Sequence, residues 1–446
     1  MANLLINNCS IFNGVSPQIQ ADSWIEIQDG LIHRIASGPP PKIENSIDLS
    51  GKTIIPGLIN NHVHLLIDFS SITDLSGLFY RMDQFKRNMA LCISNGITTV
   101  RDVGGTPGLL DKLIKLVESE KAIGPRIIRT NAFISPTDGY PDFIPSFPFP
   151  LNLLMGGQAV ERNSDPEQVR NAVRRVVAQG ADWIKTSYVD KPFFVGRQVP
   201  PLFSDEGYRA LMDEARIQNK PVAMHHFHAS GLRKGMELGV SSMEHSSFDP
   251  LSEEDVMKMK ESKIFIVPTL TVFRDLTDIK RTEMILEKEG EKYLIPKPLK
   301  FTKQVVSNLQ KVTSPEMAQN DFIPDLEMIK KSYPVMVENT RRLHEAGVNI
   351  GCGTDSGGSG IAIYGRFFEE IECLMDAGMT NFEALRCATY DNARLLKMED
   401  KIGSIETGKI ADLAVVEGNP LEDIKALRNV NLVVKGGKVI WQNNHQ

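Results

Sequence analysis

Two histidines separated by one residue, His62 and His64, end the run Gly57-Leu-Ile-Asn-Asn-His62-Val-His64. Strand side chains alternate between faces, so both imidazoles project to the same side and can reach one point beyond the strand end. Neutral imidazole is a common ligand for transition metals such as zinc. A surface strand with two solvated histidines would carry the same pattern, so the rest of the chain has to decide. Four more groups of ligand or acid–base type stand where predicted strands end: Lys185, His225, His245 and Asp355. Within His225-His226-Phe227-His228, the apolar pair Val222 and Met224 suits a helix-covered face. Ala223 and His225 then face the other way, which makes His225 the inward histidine, His226 a packed neighbour and His228 a loop residue near the pocket.

The elements that must position these groups alternate. Gly96–Val100, Arg126–Arg129, Ala181–Lys185, Pro221–His225, Ser241–His245, Lys263–Val267 and Val348–Asp355 read as strands. Between them run amphipathic helical segments. One begins with Asp165 as N-cap, Pro166 at the first helical position and Gln168 in the first turn, and stops at Gly180. Another begins at Ser204, and a third carries Ser252 and Asp255 as a cap. Strand–helix alternation repeated about eight times fits an α/β chain forming a (β/α)8 TIM barrel, whose strand C-termini converge on one face. In an open doubly wound sheet the same polar residues would be strung along a line.

Both ends of the chain differ from the middle. Leu4–Ile6, Trp24–Ile27, Leu31–Ile35 and Thr53–Ile55 are β-type runs, as are Asp412–Val416, Val430–Val434 and Lys438–Trp441. Gly436-Gly437 marks a hairpin turn. The expected organisation is a small β-sandwich domain from residues 1–56 and 402–446 around a barrel of residues 57–401. Two stretches interrupt the repeat. Residues 135–164 interleave prolines with Phe143, Phe147 and Phe149, and residues 274–330 are charged and helical in composition, suiting either a lid or a solvated insertion.

Composition narrows the function classes. With 446 residues and a formal net charge of −6, the chain has no basic footprint for nucleic acid. No run approaches a membrane span and no signal peptide is evident at the start. Five scattered cysteines, none in a Cys-x-x-Cys pair, give neither a disulfide framework nor a thiolate metal site. A cytoplasmic protein acting on a small-molecule substrate is expected, with neither nucleic acid nor membrane as partner; a homo-oligomer stays open.

The segments Ile55-Pro-Gly-Leu-Ile-Asn60 before His62-Val-His64, Gly96-Ile-Thr-Thr-Val-Arg-Asp-Val-Gly-Gly105, Gly180-Ala-Asp-Trp-Ile-Lys185, Gly239–His245, Gly353-Thr-Asp355 and Gly403–Leu413 together resemble the amidohydrolase superfamily, in its prolidase- and imidazolonepropionase-related branch. The resemblance implies two divalent metal ions, usually zinc. His62, His64 and Asp355 would hold one ion, and His225 and His245 the other. Lys185 would bridge them as a CO2-derived carbamate. It further implies hydrolysis of a C–N bond (amide, peptide, carbamate or urea) by a metal-bound hydroxide, with Asp355 as general base and then general acid. Two pocket positions depart from the branch. Phe227 stands where a second histidine is frequent, and Gly139-Tyr140-Pro-Asp142 stands where Gly-His-Gly-Asp is frequent. Tyr140, Phe227 and His228 are the expected substrate-binding residues. The rival readings are a mononuclear deaminase, which would want a glutamate at the position of His228, a phosphoester or ester hydrolase, and a non-catalytic homologue.

Overall fold

The computed structural model describes residues 4–66, 77–311, 323–358 and 361–443. The chain is α/β. Its middle holds two parallel sheets. One pairs Leu58–Val63 with Ile97–Asp102 and that strand with Arg126–Arg129. The other runs in the order Val160–Arg162, Phe133–Ser135, Ile184–Tyr188, Val222–His226, Ser242–Glu244, Phe265–Val267. Backbone hydrogen bonds continue from each sheet toward the other. On one side, Asp182 and Trp183 N–H donate to Arg129 O. On the other, residues 349–356 lie between the sheets. Ile266 N–H donates to Asn349 O and Gly351 N–H to Ile266 O, while Asn61 N–H donates to Cys352 O and Asp355 N–H to His62 O.

The expected strand Val348–Asp355 is present only as single bridges, Ile266 to Ile350 and Val63 to Ser356. The reason is local. A Cβ on Gly353 would stand 2.7 Å from both His62 Cβ and Val267 Cγ1, and Asp355 adopts φ +54°. A left-handed residue cannot continue an extended ladder. Instead the segment is clamped from outside. Asn392 accepts from Cys352 N–H at 2.9 Å and donates to Ile59 O and Cys352 O at 2.6 and 2.8 Å.

The helices form where capping chemistry starts them. Asp165 accepts from the N–H groups of Glu167 and Gln168, and Ser252 with Asp255 closes a reciprocal capping box. Val169, Ala172, Val173 and Val176 turn the buried face of the helix Pro166–Ala178 inward, and Gly180, at φ +85°, follows its end. Strand alternation behaves as expected around His225. Val222 and Met224 pack among helix residues, while Ala223 packs with Ile59, Trp183 and Val267 on the other side.

The two chain ends meet, Leu413–Glu417 pairing antiparallel with Lys52–Pro56. Where a sandwich is expected, the strands hydrogen-bond as one eight-stranded sheet. The cause is the strand Leu4–Phe12, which pairs on one side with Ser46–Asp48 along its first half and Lys52–Pro56 along its second. Register shifts at Ile6/Cys9 and Cys9/Ile11 let the same strand keep Ile19–Gln28 on its other side. One sheet face encloses its own core of Leu4, Ile25, Leu413, Val415 and Leu432. The other sends Phe12, Ile55, Ala414 and Val416 into the main core. No helix among the described residues is long and apolar enough to cross a membrane.

Asn392→Ala would strip partners from buried backbone groups of Cys352 and Ile59. Each orphaned group costs about 1–3 kcal/mol, so the variant should unfold at clearly lower denaturant, losing about 3 kcal/mol. An unchanged midpoint would show that the clamp is dispensable.

Candidate active site

His62, His64, Lys185, His225, His245 and Asp355 come together. His62, His64, His225 and His245 stand at or just past the C-terminal end of a strand and Asp355 at the end of the 349–355 segment. Lys185, expected at a strand end, is instead the second residue of the strand Ile184–Tyr188, which begins later than expected because Asp182 and Trp183 N–H are taken by Arg129 O. One ring nitrogen of each of His62, His64 and His245 is fixed by the protein. His62 Nδ1 is 2.7 Å from Glu244 Oε2, His64 Nδ1 is 3.1 Å from Gly104 O, and His245 Nδ1 is 2.6 Å from Thr269 Oγ1. A carboxylate or carbonyl in that position takes the Nδ1 proton and leaves Nε2 as a lone pair. The Nε2 atoms of His62 and His64 each lie 3.4 Å from Asp355 Oδ1. His245 Nε2 faces His225 Nδ1 at 2.8 Å. His62, His245 and Asp355 each place one ligand atom within 4.8 Å of the other two.

Burial sets the charges. It pushes His62 down to about 4, and His225 and His245 well below the ordinary imidazole range. These rings are therefore neutral at physiological pH. Burial also lowers the Lys185 amine to about 8. Burial works against ionisation of Asp355, but the surrounding imidazoles of His64, His62 and His245 outweigh it and bring the carboxyl to about 2. His245 at φ +79°, Thr269 at +50° and Asp355 at +54° occupy the left-handed region, where non-glycine residues carry strain. Strand alternation would send His245 to the same side as Met243; the left-handed turn redirects it.

The group that sequence reasoning missed is Glu244. Its carboxylate takes the His62 proton on one oxygen; on the other it meets Arg101 at 2.7 Å and Ser242 Oγ at 2.5 Å. Arg101 and Glu244 have 0% side-chain exposure. The signal was present, since Arg101 falls within Gly96–Gly105 and Glu244 precedes His245, but neither residue reveals its partner without the fold.

Above these groups opens a cavity of about 430 Å³. Tyr140 and Phe227 line it, with the Tyr140 ring stacked on His225 at 4.4 Å. His228 does not. It immediately precedes the helix Ala229–Leu238, and its Nδ1 pairs with Asp249 Oδ2 at 3.1 Å. Of the three phenylalanines between 143 and 149, Phe143 reaches the cavity. Phe147 is buried elsewhere, its backbone bonded to the Gln158 amide, and Phe149 is 80% exposed on the helix Phe149–Met155. Arg162 pins this loop, donating to the carbonyls of Gly139, Pro141 and Ile144. The 274–330 insertion is not a solvated appendage. Its helix Pro296–Lys311, with Ile323 and Pro324, forms a wall of the cavity.

The chain belongs to the amidohydrolase family, which matches residues 53–440. It is a hydrolase acting on carbon–nitrogen bonds, and divalent metals are general in that family. Among its relatives is the ochratoxinase of Aspergillus niger, 27% identical over 418 residues and aligned over 86% of this chain and 75% of the relative. The 5-methylthioadenosine/S-adenosylhomocysteine deaminase of Thermoanaerobacter pseudethanolicus is 24% identical, over 99% of this chain and 94% of that protein. Among solved structures, a Xaa-Pro dipeptidase with bound methionine in its active site has a TM-score of 0.76 at 28% identity. It covers 99% of this chain and 100% of its own.

Glu244→Gln retains volume but removes the charge that fixes the His62 proton. Changes at such supporting groups cost about 10–100-fold in metal affinity. Competition against a chelator should show a loss in that range; undiminished affinity would mean that Glu244 only satisfies Arg101.

Proposed function

We propose that the protein is a two-metal hydrolase of an amide, peptide, carbamate or urea bond. The residue assignment is the one given by the resemblance: His62, His64 and Asp355 for one ion, His225 and His245 for the other, and a carbamate on Lys185 between them. The observation that carries this reading is a convergence of buried donor atoms without protein partners. Lys185 Nζ, His225 Nε2 and Asp355 Oδ1 have no hydrogen-bond partner. Buried polar atoms are ordinarily satisfied, and a set of imidazoles, a carboxylate and an unpaired amine at one place suits zinc. In the same reading, residues 57–401 form a (β/α)8 barrel closed through residues 349–356, and residues 1–56 with 402–446 form the second domain.

Lys185 fits its role chemically. The neutral amine is the form that attacks CO2, losing a proton as the C–N bond of the carbamate forms. With the amine at about 8 rather than the ordinary 10.5, that form is accessible near neutral pH. When bound, the ions lower the pKa of water to about 7 and polarise the carbonyl under attack. Asp355, ionised across the physiological range, takes the proton from the attacking water and delivers it to the departing nitrogen. Tyr140, whose ring stacks on His225, would donate to the substrate carbonyl.

Mass spectrometry under native conditions should find about two divalent ions per chain. Lys185→Ala should lose both metal and activity, with partial recovery of both on adding propionate. Lys185→Arg should not recover, since a guanidinium stays protonated. Full activity of the metal-free protein would overturn the proposal. The aromatic cavity also favours an apolar group beside the scissile bond. A phenyl substrate should exceed its lysyl counterpart in kcat/KM by roughly 10–200-fold; equal rates would refute that preference.

A further inference from the structure

The cavity wall supplied by the insertion carries information about what enters. Phe301, Gln304, Val305, Asn308 and Leu309 form one stripe of the helix Pro296–Lys311. Around them stand the rings of Phe193, Phe194, Phe227 and Phe273. Phe193 stacks on Phe227 at 4.2 Å. Among the described residues, no lysine or arginine lines the cavity. Residues 67–80, 312–322 and 359–360, whose side chains are outside the described set, include neither. Five cations on neighbouring segments are committed to protein acceptors. Arg162 bonds the loop carbonyls, Lys191 pairs with Asp249, and Arg274, Arg281 and Arg366 all pair with Glu369.

A ligand carboxylate against this wall would give up water for aromatic faces with no lining cation to pair it. Unpaired burial of a charge is costly. What the wall offers instead is two carboxamides, Gln304 and Asn308, which suit neutral donors and acceptors. We propose that the substrate is an uncharged, aromatic amide, carbamate or urea with no free carboxylate beside the scissile bond, selected by the wall of residues 301–309. This rests on the C–N hydrolase reading above.

The test uses the zinc-loaded full chain and two matched ligands, N-acetyl-L-phenylalanine amide and N-acetyl-L-phenylalanine. Calorimetry at pH 7.5 compares them where the acid is ionised. The amide should bind at least tenfold more tightly. Asn308→Arg should shift the acid-to-amide affinity ratio at least tenfold toward the acid, and Gln304→Arg places a guanidinium on the same wall as a second case. Carboxylate bound directly to metal contributes alike before and after substitution, so the shift reads the wall. Equal or tighter binding of the acid by the unaltered protein would overturn the proposal, as would no shift in either variant. Turnover is measured separately. Failure to hydrolyse any neutral aromatic amide would count against the hydrolase reading, while the affinity ratio still decides the role of the wall.

Discussion

The ion pair between Arg101 and Glu244 is the interaction on which the site depends. Both side chains are wholly withdrawn from water. Desolvating two such ions costs several kcal/mol each, and their attraction repays this only when every remaining donor and acceptor is satisfied. Here they are. Arg101 also donates to Asn61 O and Ser242 Oγ, and lies over the Trp183 ring at 4.7 Å. Glu244 uses its second oxygen for His62. The participants come from the strands Leu58–Val63, Ile97–Asp102 and Ser242–Glu244, with Trp183 just before Ile184–Tyr188. A one-residue slip of any of these strands would turn its side chains to the other face and leave a buried ion alone. The pair therefore fixes register as well as the His62 proton.

From that follows the electrostatic character of the centre. Neutral imidazoles are the form that donates lone pairs, and burial keeps them neutral down to about pH 4 at His62. Glu244 and Gly104 O then take the Nδ1 protons of His62 and His64 and leave their Nε2 atoms as lone pairs, while Thr269 pairs with His245 Nδ1. Thr269 is itself held from behind. Glu370 accepts from the N–H groups of Leu270 and Thr271 and from the Thr271 hydroxyl, fixing the turn in which Thr269 sits at φ +50°. Backbone strain of about 1–3 kcal/mol per such residue persists only where neighbouring contacts over-determine it. Three such residues at one site, each hydrogen-bonded, mark where the fold has been bent toward chemistry.

How much of this was legible in the sequence depended on whether the signal was local. Capping residues such as Asp165 and Ser252, the alternation that turns His225 inward, and the Gly436-Gly437 hairpin are local, and each is realised in the structure. The meeting of polar residues near strand ends needed only strand order and direction, except that Lys185 reaches the site from the second residue of its strand. Glu244 and Arg101 were not readable as partners because they lie 143 residues apart. His228 was misplaced for the converse reason. Its type suits a pocket, but the position of Asp249 decides where it goes. The single sheet in place of a sandwich turns on two register shifts that no periodicity reports.

The insertion shows how a charged segment can build an apolar wall. At its root Arg366 and Arg281 grip Asp275 while Arg366, Arg281 and Arg274 share Glu369. At its far end, Val195 N–H donates to Ile323 O and Asp325 N–H to Phe193 O, tying the wall to the loop after Lys185. Anchored at both ends, the stripe from Phe301 to Leu309 stands over the cavity as a fixed surface. Its effect reaches the reacting groups through the dielectric. Charges act more strongly where water is excluded, so aromatic residues that never touch the scissile bond strengthen the field of Asp355 and of any cation held beside it.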